Sequence, residues 1–201
     1  MTIHPFHYFD PAFPDQAVIV YAPTHANDCP TVSITNYQYS YSPQENQCLN
    51  RDAIAKKELL ASVRLVDETT GVLTVCQTDY PTWKTAATTQ NAMLFQQKED
   101  KIPNALHVQA LIQTADNKLI FGPRPQSDQL QLPSGMLNWE DLQQPNALTY
   151  AAVREFNEEC VNLPVQNPSM LGTLFYQKRV LTSVSITGQI EIGRASCRER
   201  V

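Results

Sequence analysis

The apolar residues of this chain fall into short runs that turn-forming residues keep interrupting, and this limits it to thin layers of strand and helix. Ala17-Val18-Ile19-Val20-Tyr21-Ala22 is a compact apolar run between polar punctuation and reads as a buried strand. Thr31 to Tyr41 sets Val32, Ile34, Tyr37 and Tyr39 among polar residues, which predicts a half-buried strand or hairpin arm before a break at Ser42-Pro43. Val63–Val66 and Val72–Val75 flank the turn Asp67-Glu68-Thr69-Thr70-Gly71 and predict a hairpin. Leu106 to Ile112 and Leu119 to Phe121, joined by Thr114–Lys118, predict a second one. Leu171 to Tyr176 and Val180 to Ile186 read as further strands. No run approaches the ~18 apolar residues of a membrane span.

Helical periodicity is present in two places. Asn50 or Asp52 can cap a helix reaching about Val63, with Ile54, Leu59, Leu60 and Val63 near one face. Asn146 is a good cap for a helix from Ala147 to about Val161, and Asn162-Leu163-Pro164 ends it, because a residue before proline is pushed out of helical geometry. The expected class is α/β with a mixed sheet. Residues 1–100 read as a small α+β N-terminal region, with Trp83 the lone large anchor of the polar stretch Thr78 to Glu99 and Gln96–Lys101 as linker. Residues 101–190 read as the α/β domain.

The ending EIGRASCRERV has no apolar period and an abrupt cluster of Arg194, Arg198 and Arg200. Back-translated from Ile192, it matches a common sequencing-adapter oligonucleotide in frame, so Glu191 to Val201 is expected to be an artefact and the α/β domain to be truncated after Ile190. The formal net charge of −5 argues against a nucleic-acid polymer as partner, which would call for a basic stripe. Cys29, Cys48, Cys76, Cys160 and Cys197 form no CxxC pair and read as reduced thiols. The opening MTIHPFHYFDPAF lacks a basic head and apolar core, so a cytoplasmic location is expected.

The segment that carries chemistry is Arg154-Glu155-Phe156-Asn157-Glu158-Glu159. On a helix, Glu155, Glu158 and Glu159 stand at i, i+3 and i+4 and share a face. Three like charges there repel, and they sit in the helix's C-terminal half, where its dipole disfavours anions. A bound cation reverses that electrostatic penalty, and an all-oxygen set suits Mg²⁺ or Mn²⁺ rather than Zn²⁺. Val153, Phe156 and Cys160 would anchor the helix against a sheet. Without a cation, Arg154 can reach Glu158 at i+4 and balance part of the charge.

Gly135 followed by this helix resembles the Nudix box, G-x5-E-x7-R-E-U-x-E-E-x-G-U with U bulky and aliphatic. Leu132-Pro133-Ser134-Gly135 and the strands before it are similar to the Pro-Gly-Gly loop and strand pair of that family, and the likeness spans about Ala105 to Leu163. Gly135 and Arg154 are further apart than in the family by a five-residue insertion, so Glu140 and Asp141 are both candidates for the first acid, and Asn146 is a neutral replacement. Val161 stands where the family has Gly, and Asn162 where it has an aliphatic residue.

The resemblance implies a Nudix-like α/β/α sandwich that hydrolyses a nucleoside diphosphate linked to another moiety. Glu155, Glu158 and Glu159 would hold Mg²⁺ or Mn²⁺, and Glu158, Glu159 and Arg154 would be the catalytic set. Arg154 would orient a carboxylate rather than touch substrate. Gly135, Glu140 and Asp141 would lie in the substrate loop, and Trp83 and Tyr176 are candidates for specificity. Leu73 to Lys84, followed by Thr88, is similar to a segment of Nudix proteins that cleave UDP-hexoses, the UDP-sugar diphosphatase subgroup. The implied partner is a small nucleotide diphosphate, with no membrane, and a homodimer is compatible with this reading. The insertion and Asn146 also fit a catalytically weakened Nudix-like nucleotide-binding or regulatory module, and the truncated chain is expected to have little activity of its own.

Overall fold

A computed structural model of the chain describes residues 4–9, 17–22, 31–49, 51–67, 72–86, 101–123, 130–160, 164–176 and 181–190. The turn after Asp67, the greater part of the linker, Thr88, the position of Val161 and the tail from Glu191 lie outside these residues. The strands are β1 (His4–Phe9), β2 (Ala17–Ala22), β3 (Thr31–Ile34), β4 (Leu59–Asp67), β5 (Val72–Asp79), β6 (Leu106–Thr114), β7 (Gly122–Pro123), β8 (Leu130–Gln131), β9 (Ser134–Met136), β10 (Val165–Tyr176) and β11 (Leu181–Ile190). The helices are α1 (Pro43–Cys48), α2 (Tyr80–Ala86) and α3 (Ala147–Glu159), with 3₁₀ turns at Arg51–Ala53 and Trp139–Gln143.

The architecture is mixed α/β. Six strands form one sheet in the order β1-β2-β10-β11-β6-β9, antiparallel except where β11 runs parallel to β6. A second sheet, β3-β5-β4, is also mixed, and β7 and β8 make a small hairpin. Among the described residues no helix is long and apolar enough to cross a membrane.

Strict alternation along β6 sends Leu106, Val108, Ala110 and Ile112 to one buried face. They pack with Leu148, Ala151, Ala152 and Phe156 of α3 and with Ala61, Val63, Leu73 and Val75 of the second sheet in a single cluster. Phe156 is fully buried, and truncating such a side chain to alanine costs about 3–5 kcal/mol. This burial fixes which way α3 faces. Strand β4 is also bonded through its backbone to segments far along the chain: Ala61 N–H donates to the Leu137 carbonyl at 2.9 Å and Val63 N–H to the Asn104 carbonyl at 2.8 Å. The core therefore draws on residues from both sides of position 100.

Several local expectations are corrected. The helix expected from Asn50 or Asp52 to Val63 is absent; Asp52 lies in a 3₁₀ turn and Leu59 opens β4. Leu60, Ala61, Ser62 and Val63 are buried in succession, which one stripe of a surface helix cannot achieve. A register shift between Val63 and Leu65 breaks the period of two and lets the run imitate a helical spacing. The short helix α1 lies upstream instead, where Ser42 and Glu45 close a capping box.

The strand expected over Thr31–Tyr41 stops at Ile34, whose side chain is half exposed. Beyond it the tyrosines make other contacts. The Arg64 guanidinium lies 3.8 Å from the Tyr37 ring centroid, and the Tyr39 hydroxyl is 2.7 Å from Ser62 Oγ. Burial pushes the Tyr39 hydroxyl up to about 12. Helix α2 was not anticipated; Asp79 caps it, its Oδ1 accepting the Thr82 N–H at 2.7 Å. Leu119–Phe121 contributes one bridge, Gln113 to Leu119, rather than a full strand. Asn117 turns the chain there with φ of 64°, the left-handed region that Asn tolerates better than most residues.

Candidate functional site

Helix α3 is held down by a buried stripe, so the side chains of its remaining face are placed by the sheet beneath. Asn146 does precede it, but at φ 54° and without a side-chain cap bond, and the helix ends at Glu159 with Cys160 as C-cap. The segment Ser134-Gly135-Met136, expected as a loop, is strand β9 at the edge of the large sheet, paired antiparallel to β6. Gly135 faces Val108 across that pair, on the side where α3 packs. The Glu155 carboxyl lies over it so closely that a Cβ at this position would overlap it.

Arg154 is the centre of the site, and each of its donors is used. Nε donates to Asp141 Oδ1 at 3.2 Å and Nη2 to Asp141 Oδ2 at 2.9 Å, a two-pronged grip on one carboxylate. Nη2 also donates to the Met136 carbonyl at 3.1 Å, while Nη1 reaches Glu155 Oε1 at 2.8 Å and Glu158 Oε1 at 3.1 Å. A guanidinium has five N–H groups, so none is left for a substrate phosphate. Burial opposes the charge on Arg154, but Asp141, Glu155 and Glu158 outweigh it and raise its pKa.

The structure thus brings together Gly135, Asp141, Arg154, Glu155 and Glu158, with Glu159 beside them. Asp141 is the acid that meets Arg154; Glu140, the other candidate, is exposed and makes no described bond. Asp141 also accepts the Asn138 N–H at 2.9 Å, so one buried carboxylate ties the 3₁₀ turn to α3. Residues 142–146 separate this anchor from the start of α3, with the 3₁₀ turn ending at Gln143.

The three helical carboxylates differ in surroundings. Burial pushes the Glu155 carboxyl up; Arg154 pulls it back, and Glu158 and Glu159 push it further. Burial also raises Glu159, whose Oε2 accepts the Ser134 N–H at 3.1 Å, and the charge of Glu158 adds to the rise. Glu158 is exposed, its side chain 58% accessible and joined to Arg154 by an i,i+4 contact.

Arg154 engages two of the three helical carboxylates, Glu155 and Glu158. Among the described residues no three acidic, imidazole or thiol groups converge as a ready-made metal cage. The compensation is still incomplete, with one guanidinium facing Asp141, Glu155 and Glu158, and Glu159 adding a further charge. Arg154's reach to Glu158 was legible from the i,i+4 spacing. The Met136 carbonyl and the Ser134 amide were not, since backbone groups leave no side-chain signal.

Trp83 lies in α2, where its indole Nε1 is buried with no hydrogen-bond partner among the described residues. The Tyr176 side chain lies outside what the structure describes. A scan against protein-family models and a search of curated proteins each found no match for the chain.

Proposed function

We propose that this chain is a divalent-metal-dependent hydrolase of the Nudix type, built on a Nudix-like α/β/α sandwich, that cleaves the diphosphate bond of a nucleoside diphosphate linked to another moiety, such as a sugar. The observation that carries this reading is the unbalanced charge around α3: one saturated guanidinium faces the carboxylates of Asp141, Glu155 and Glu158, and Glu159 beside them has no cationic partner among the described bonds. Glu155 and Glu159 flank the backbone of β9, one over Gly135 and the other bonded to Ser134.

This donor set fits a hard cation. Glu155, Glu158 and Glu159 would hold Mg²⁺ or Mn²⁺, which would neutralise phosphate oxygens and favour ionisation of a water. Releasing Glu158 from Arg154 costs little, because an exposed i,i+4 pair contributes about 0.3–0.5 kcal/mol. Arg154, gripped by Asp141, would orient Glu155 rather than touch the substrate. One of the three glutamates, or an acidic residue of a loop, would accept the proton of that water.

The test is turnover of a nucleoside-diphosphate panel with Mg²⁺, compared with Glu158→Gln and Glu159→Gln. Metal-dependent release of a nucleoside monophosphate, reduced by roughly a hundredfold or more in each variant, is expected. Unchanged rates in both variants overturn the reading. The second reading, a nucleotide-binding module without chemistry, is favoured by the hold of Arg154 on Glu155 and Glu158. Nucleotide binding with no hydrolysis across a metal screen selects it over the first.

A further inference from the structure

The open edge of a sheet offers a row of N–H and C=O groups to any further strand, and this chain treats its edges unequally. At β9, the Ser134 N–H is taken by Glu159 and the Met136 carbonyl by Arg154. The outer side of β4 is engaged by the bridges Leu60–Asn138 and Ser62–Ala105. Strand β1 carries Pro5, which has no N–H to offer. Strand β3 differs from all three. It ends the second sheet beyond β5, and among the described residues nothing bonds to its outer side. Thr31-Val32-Ser33-Ile34 contains no charge and no proline, two of the usual guards of an edge.

The register fixes which groups are open. In a parallel ladder alternate residues address the neighbouring strand, and the Thr35 N–H, bonded to the Val75 carbonyl at 2.8 Å, assigns the odd positions to β5. The N–H and C=O of Val32 and Ile34 therefore face outward. Their side chains share one face of the strand, where Val32 packs against the core. On that side a groove of about 310 Å³ has Val32 and Ile34 as one wall and Leu142, Ala147 and Leu148, at the start of α3, as the other. Ile34 is 50% exposed there, an aliphatic side chain left half covered.

We infer that β3 is the edge at which two copies of this chain pair, antiparallel about a two-fold axis at Ser33, joining their small sheets into one. Charge and symmetry select a second copy as the occupant. Each chain carries a formal net charge of −5, so two copies meet best where neither presents a charge. Among the described residues no charged side chain lines the groove or lies in β3. With Ser33 opposite Ser33 of the second copy, Val32 meets Ile34 and Ile34 meets Val32, and each pair exchanges both its N–H···O=C bonds. Cross-strand partners point to one face, so Ile34 of the second copy comes to lie beside Val32 and covers the groove. A four-residue edge is small against the ~800 Å² per partner of a stable interface, so the dimer forms reversibly. The pairing leaves the acidic side of α3 untouched and does not depend on the hydrolase reading.

Sedimentation of the full chain over a roughly hundredfold range of concentration should show a monomer passing into a dimer. Ile34→Lys places a charge on the edge while keeping every backbone bond, and should stay monomeric throughout. Ile34→Pro removes one outward N–H and should do the same; if it fails to fold, the lysine variant still decides. Ser33→Cys, treated with diamide as electron acceptor, should form a disulfide between copies, because facing residues at such a non-hydrogen-bonded position have Cα atoms about 4.5 Å apart. The parent under the same treatment sets the background from its own cysteines, Cys48 among them. A monomer at every concentration overturns the inference, even one that takes up a peptide at this edge. A dimer that survives Ile34→Lys, or a Ser33→Cys variant that cross-links no more than the parent, overturns it as well.

Discussion

Replacing Arg154 by methionine removes five hydrogen bonds while keeping most of the side chain's volume, and the structure says where the cost falls. Asp141 is the main debtor, because its side chain is only 6% exposed and would retain the Asn138 N–H alone. Stranding a buried carboxylate by removing its partner costs about 3–5 kcal/mol. Losing a donor to the Met136 carbonyl adds about 1 kcal/mol, and the exposed Glu158 contact only about 0.3–0.5 kcal/mol. Arg154 itself is 19% exposed, so water reaches part of the site and the lower half of the range applies. A loss of about 5 kcal/mol is expected, or a fall in Tm of roughly 10–20 °C for a chain of this size.

Urea unfolding of the parent, Arg154→Met, Asp141→Asn and the double variant measures it. The double variant should be more stable than the two single losses predict by at least about 1 kcal/mol, because removing both partners leaves no stranded carboxylate at position 141. Arg154→Lys should recover only part of the loss, since an ammonium keeps the charge but not the planar fork. A drop below about 1 kcal/mol for Arg154→Met, or additivity in the cycle, would refute the claim that Asp141 and Arg154 anchor α3 to the turn before it.

Two further outcomes follow from the same geometry. Gly135→Ala should destabilise the chain by about 1–3 kcal/mol, because the new methyl group displaces the Glu155 carboxyl; adding Glu155→Ala should recover most of that loss in a melting experiment, and no recovery would place the strain elsewhere. Burial holds Glu155 and Glu159 above the ordinary glutamate value of 4.5, so above that value the folded state binds more protons than the unfolded one. Their contribution to stability is complete below that value and is lost as pH rises through their folded values. Melting in a chelator should therefore show a decline that Glu155→Gln flattens, and an unchanged slope in the variant would contradict it.

Ala17–Ala22, read from its compact apolar run, forms β2 with the expected bounds, and the alternation of Leu106 to Ile112 is intact in β6. Periodicity failed where tertiary pairing overrode local preference, as in β4, whose Lys- and Leu-rich approach favours helix in isolation. The helix of the candidate site and its acidic face could be read from Ala147 to Glu159, and the Arg154–Glu158 contact from the spacing. The choice of Asp141 over Glu140 could not, since neighbours in sequence differ only in which way the 3₁₀ turn points them.

The long-range stitching of β4 bears on how the chain acquires its structure during synthesis. Ala61 cannot satisfy its amide until Leu137 has left the ribosome, and the cluster around Leu73 lacks its aromatic centrepiece until Phe156 follows. An emerging polypeptide must carry that incomplete, greasy surface for much of its translation, with loop closure still ahead of it. Slow appearance of protease resistance in stalled nascent chains, arriving together rather than in halves, is the corresponding signature.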